Sequence, residues 1–160
     1  MISEELFESI FPLVCGWAKE QEEYILARGR QLTSEQAEDA ELAGVLHPDR
    51  IRILVVQQIP MPEDPMIREI GEKVDLVTTR TSGMTLGYGI YIRSGGQFLR
   101  DLIVHEFTHT AQYERLGGID LFLRQYLTEC LKFGYNNSPL ELEAERVAMK
   151  ICNPVLTSSA

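Results

Sequence analysis

The run His105-Glu106-Phe107-Thr108-His109 constrains this chain more than any other five residues in it. Histidines four apart on a helix lie on one face, about a turn from each other. Two imidazoles so placed can hold one zinc ion. Glu106 follows the first histidine and can reach a water on that metal. Zinc brings the pKa of such a water towards neutrality, and a carboxylate can then take its proton. The flanks predict a helix over residues 98–116, with Leu99, Leu102, Ile103 and Phe107 apolar at three- and four-residue spacing. Gly117-Gly118 is a suitable stop. The chain has only 3 histidines, and the pattern uses two of them. The third, His47, lies in the turn His47-Pro48-Asp49-Arg50 and reads as a turn residue rather than a distant ligand.

With 160 residues, 44% hydrophobic and 24% charged, the chain suits one domain over 1–160. A net charge of −9 argues against nucleic acid or an anionic membrane surface as partner. No apolar run approaches a membrane span, and the start Met1-Ile2-Ser3-Glu4-Glu5 lacks the basic residues of a signal peptide. Cys15, Cys130 and Cys152 have no zinc-ribbon spacing. They read as reduced, mostly buried thiols of a cytoplasmic protein.

Ser3 opens a predicted helix that runs to about Ala27, with a kink expected at Pro12 and a stop at Gly29. Thr33 and Gln36 form a capping-box pattern for a short helix to about Ala43. The β-branched residues 51–58 predict a strand, and Pro60, Pro62 and Pro65 end it. A turn of helix is expected over 66–73 and a second strand over 74–81. A turn at Ser82-Gly83-Met84 would then lead to a third strand over 86–93. If that strand is an edge beside the metal helix, it can hold an extended peptide. Two more helices are expected, from Leu121 to about Phe133 behind Asp120, and from Pro139 to about Cys152 behind Ser138.

A catalytic zinc usually takes three protein ligands. Gln112 and Arg115 stand where the long metzincin pattern needs glycine and histidine, so the third ligand is sought among downstream carboxylates. Ser138 and Pro139 set Glu141 where a capping-box carboxylate reaches back, which gives it a structural task. The apolar stripe of this last helix is Leu140, Ala144, Val147, Ala148 and Ile151. Glu145 points away from its centre, and Glu143 lies on its flank. Glu143 is therefore the expected ligand, with Glu129 and Glu141 as alternatives.

His105-Glu106-x-x-His109, Gln112, Gly117, a leucine- and aromatic-rich helix and Pro139-x-Glu141-x-Glu143-Ala144 together resemble small gluzincin-type zinc metallopeptidase-like proteins of bacteria. The likeness covers residues 86–148. It implies an α+β, zincin-like fold: a small twisted sheet of about three to four strands packed on the metal helix, with several further helices. It also carries the third-ligand role to Glu143. Thermolysin-like members usually place an aspartate four residues after that ligand, and here the position is Val147. The expected function is a zinc-dependent peptidase acting on a peptide or protein substrate. One zinc ion would sit on His105, His109 and Glu143, with Glu106 as general base. Tyr88, Tyr91 and Tyr135 are candidate oxyanion donors, and Gln112 can line the cleft. The alternative is a non-catalytic peptide-binding or regulatory module on the same scaffold.

Overall fold

The computed structural model describes residues 2–73 and 81–153. The expected strand over 74–81 falls almost wholly outside them. Helix α1 (Glu4–Arg28) starts where the sequence predicts, with the Ser3 hydroxyl accepting from Leu6 N–H. It runs unbroken through Pro12, which withholds one N–H from the ladder on the exposed side. Helix α2 (Ser34–Leu42) carries the complete Thr33–Gln36 capping box. Helix α3 (Pro65–Lys73) follows the proline-rich loop.

The strands are β1 (Arg52–Val56), β2 (Gly83–Leu86) and β3 (Gly89–Arg93). Their order is β1-β3-β2, with β1 parallel and β2 antiparallel to β3. Two sequence expectations are corrected. The hairpin turn is at Gly87-Tyr88, not at Ser82-Gly83-Met84. Gly87 takes a φ of +69°, which a side chain at that position would resist. The strand predicted over 86–93 is therefore split by the turn. Its larger part, β3, has a neighbour on both sides and cannot accept a peptide at its edge.

Alternation in the strands divides the core. Ile53, Ile90 and Ile92 join Ile103 and Phe107 on one side, while Leu54, Leu86 and Tyr91 join Phe11, Ile25 and Phe122 on the other. The sheet thus lies between α1 and helix α4 (Arg100–Leu116). Each fully buried core side chain, such as Phe107 or Ile90, contributes about 1.5–3 kcal/mol. Gly117, in the left-handed conformation at φ 98°, closes α4. Helix α5 (Ile119–Phe133) begins at a Gly118 cap, two residues earlier than expected. Asp120 lies inside it and pairs with Lys19. Helix α6 (Pro139–Cys152) packs most heavily on α4. Among the described residues the architecture is mixed α+β, six helices with a three-stranded sheet, and no helix is long and apolar enough to cross a membrane.

Candidate metal centre

Helix α4 presents three working faces. Ile103, Phe107 and Ala111 enter the core. Glu106 and Thr110, four apart, face the β2–β3 hairpin, where Thr110 donates to Gly87 C=O at 2.9 Å. His105, His109 and Gln112 turn towards α5 and α6. This last face carries the cluster.

The Nε2 atoms of His105 and His109 lie 3.2 Å apart. One Glu141 oxygen is 3.0 Å from His105 Nε2, and the other is 2.9 Å from His109 Nε2. A tetrahedral ion with bonds of about 2.0–2.1 Å holds its donors about 3.3 Å apart. Two imidazoles and one carboxylate at these separations fit such an ion with little movement. His105, His109 and Glu141 form a group that can hold a metal ion.

The cluster is largely buried. Side-chain exposure is 18% for His105, 7% for His109 and 5% for Glu141. Tyr126 donates to Glu141 Oε2 at 2.6 Å. The rings of Tyr126 and Phe122 stand edge-on to His109, at 5.8 and 6.2 Å between centroids. Burial alone would lower the His109 pKa, but the hydrogen bond and charge of Glu141 outweigh it and raise it to about 9. Burial would raise Glu141, but the two imidazoles and Tyr126 hold it well below the usual carboxylate range.

The sequence favoured Glu143 as third ligand, whereas the structure brings Glu141 to the imidazoles. Glu143 instead accepts from Gln112 Nε2 at 2.9 Å and from Arg115 at 3.1 Å. The second alternative, Glu129, accepts the Leu140 N–H at 2.9 Å and pairs with Gln125. It caps α6. The structural task assigned to Glu141 is done by others. The Ser138 N–H that a capping-box carboxylate would reach goes to Tyr135 C=O at 3.3 Å, Leu140 N–H goes to Glu129, and Glu141 N–H goes to the Ser138 hydroxyl at 3.3 Å. The Glu141 side chain is thereby free to point at α4. A signal for this was present: Glu141, Ala144 and Ala148 share a helix face, at i, i+3 and i+7, and all three are buried. Counted from Glu141, the position four residues on is Glu145, which lines the same cavity, rather than Val147.

Glu106 is 5% exposed and accepts from Thr85 Oγ1 at 2.5 Å. Gly83, also on β2, makes room for it. A Cβ there would come within 2.8 Å of Glu106 Oε1. Of the candidate oxyanion donors, Tyr135 alone lines the cavity with Glu106 and the cluster. Burial, then the charges of Glu141 and Glu106, raise its pKa far above that of an ordinary phenol, so it remains a donor. Tyr88 donates instead to Glu114, and Tyr91 to Gln21. His47 is exposed at the start of a short turn, its backbone N–H held by Glu114.

The cluster opens onto a cavity of about 820 Å³, walled on its apolar side by Trp17, Ile67, Ile70 and Leu123. Residues 83–86 of β2 form part of the rim. Two contributors were missed in the sequence. Tyr126 and Thr85 look like ordinary helix and strand residues, and only the tertiary fold brings them to Glu141 and Glu106. No family model, no curated protein and no solved structure matches this chain.

Proposed function

We propose that this chain is a zinc-dependent peptidase of gluzincin type, on a zincin-like domain. The observation that carries this reading is a cluster of two imidazoles and one carboxylate with Glu106 lining the same cavity. A structural metal site gains nothing from a buried glutamate beside it. Zinc held by these three side chains would supply a Lewis acid that activates water near neutral pH.

The chain's own residues would supply the rest. His105, His109 and Glu141 would hold the ion. Glu106 takes a proton from the attacking water and passes it to the leaving amine. Thr85 fixes the carboxylate that does so. Tyr135 donates to the oxygen on which negative charge develops. An extended peptide can lie along β2, one of the two end strands of the described sheet, whose 83–86 segment borders the cavity. The unpaired Cys15, Cys130 and Cys152 suit a reducing compartment such as the cytoplasm.

The non-catalytic alternative has one observation of its own. The Glu106 carboxylate is already engaged by Thr85, which a purely architectural glutamate would also show. Glu106→Gln separates the two. Under the peptidase reading, this variant binds zinc as the parent does and loses chelator-sensitive cleavage of a peptide library by at least about 100-fold. Cleavage at the parental rate would remove Glu106 as the base. Zinc binding by a parent that cleaves nothing would favour the binding module.

A further inference from the structure

Gln112 lies one helical turn beyond His109 and is fully buried, at 0% exposure. Its Nε2 sits 2.9 Å from Leu140 C=O and 2.9 Å from Glu143 Oε1. Both partners only accept, so this end of the amide must be its NH₂ group. The amide oxygen is therefore the atom 2.8 Å from His109 Nδ1. An oxygen there accepts, so Nδ1 carries a hydrogen. Nε2 faces the Glu141 carboxylate, which also only accepts, so without metal it carries a hydrogen too; an ion that displaces that hydrogen would meet the Nε2 lone pair while Nδ1 keeps its own hydrogen. Arg115 holds Glu143 in turn, at 3.1 Å.

We propose that Gln112 is a positioning residue for the metal cluster: pinned by Leu140 and Glu143, its amide selects the Nδ1–H form of His109 and aims Nε2 at the metal position. The inference rests on the metal reading of that site. Glu143 accordingly acts two hydrogen bonds back from His109, as the anchor of the amide that orients a ligand. Orienting partners of this kind are worth about 10–100-fold in metal affinity. The run Arg115, Glu143, Gln112, His109 crosses from α4 to α6 and back, so the lie of α6 on α4 sets the ring's orientation. The same α6 delivers Glu141.

The test compares the untagged parent with Gln112→Met and with Glu143→Leu. Methionine matches glutamine in length and replaces the amide oxygen that accepts from Nδ1–H with, at most, a weakly accepting thioether. Three readouts are taken: zinc affinity against a competing chelator, the visible spectrum of the cobalt-loaded protein, and the His109 Nδ1–H resonance by nitrogen-edited NMR of the zinc-loaded protein. For Gln112→Met the expected result is about 10–100-fold weaker zinc binding, a changed cobalt spectrum and a displaced Nδ1–H signal. Glu143→Leu alters a partly buried position and should keep its fold. It is expected to weaken zinc by about tenfold, the low end of that range. A merely structural glutamine would lower metal-free stability and leave the spectrum and the Nδ1–H signal in place. Parental affinity and spectra in Gln112→Met overturn the proposal. If that variant does not fold, parental values in Glu143→Leu overturn it alone. A parent that binds neither zinc nor cobalt overturns the metal reading, and this inference with it; a parent that binds, with variants that match it, overturns the inference only.

Discussion

Glu141 and Glu143 stand two residues apart on α6 and face different partners. Glu141 meets two imidazoles and the Tyr126 hydroxyl. Glu143 meets an amide and a guanidinium. Replacing Glu141 by alanine should weaken zinc binding by more than about 100-fold, beyond the range of an orienting partner. Glu143→Ala should stay within that range. Isothermal titration of both variants checks the order, and the reverse order would return the ligand role to Glu143. The histidine pair and Glu106 were legible because a period of four on a helix is fixed by backbone geometry. The third carboxylate was not. Its identity depends on which side of α6 meets α4, and on Tyr135 C=O taking the Ser138 N–H, which leaves the Glu141 side chain free of capping duty. Tyr126 and Thr85 carry no local pattern at all.

Helix α6 delivers Glu141 through its first turn, so its N-terminus is the element on which the site depends. Ser138 is completely buried and its hydroxyl is the acceptor for Glu141 N–H. Ser138→Ala leaves that donor without its partner and should cost about 1–2 kcal/mol. For a chain of this size that is a fall of about 2–8 °C in the thermal midpoint of the metal-free protein. An unchanged midpoint would show that the cap contributes nothing. Helices α1, α2, α4 and α6 were readable from their caps and apolar spacing, since Ser3, Thr33, Gly117 and Ser138 act locally. The hairpin was harder. Gly83, Gly87 and Gly89 are each plausible turn residues in sequence, and only packing distinguishes them. Gly83 makes room for Glu106, Gly89 lies against Ile25, and Gly87 alone of the three has the positive φ of the turn. β3 is not an edge because β1 pairs with it in parallel, which leaves β2 at one end of the described sheet.

At the scale of the whole molecule, the sheet lies between α1 and α4, and the cluster ties α4 to α5 and α6. His105 and His109 come from α4, Glu141 from α6 and its hydroxyl partner Tyr126 from α5. Two buried ionisable groups and a partly buried one gathered at one point are costly to a fold unless they compensate one another or a cation compensates them. A chain with net charge −9 also gains from holding a dication in its interior. The predicted elements and the family resemblance anticipated an α+β chain, and the histidine motif anticipated two members of a group that can hold a metal ion, whereas the cavity and its β2 lining depend on chain segments far apart in sequence. The most direct measurement is the zinc content of untagged protein, by elemental analysis before and after zinc is offered. About one zinc per chain, lost in Glu141→Ala, is the predicted result. Protein that holds no zinc even after it is offered would contradict the account.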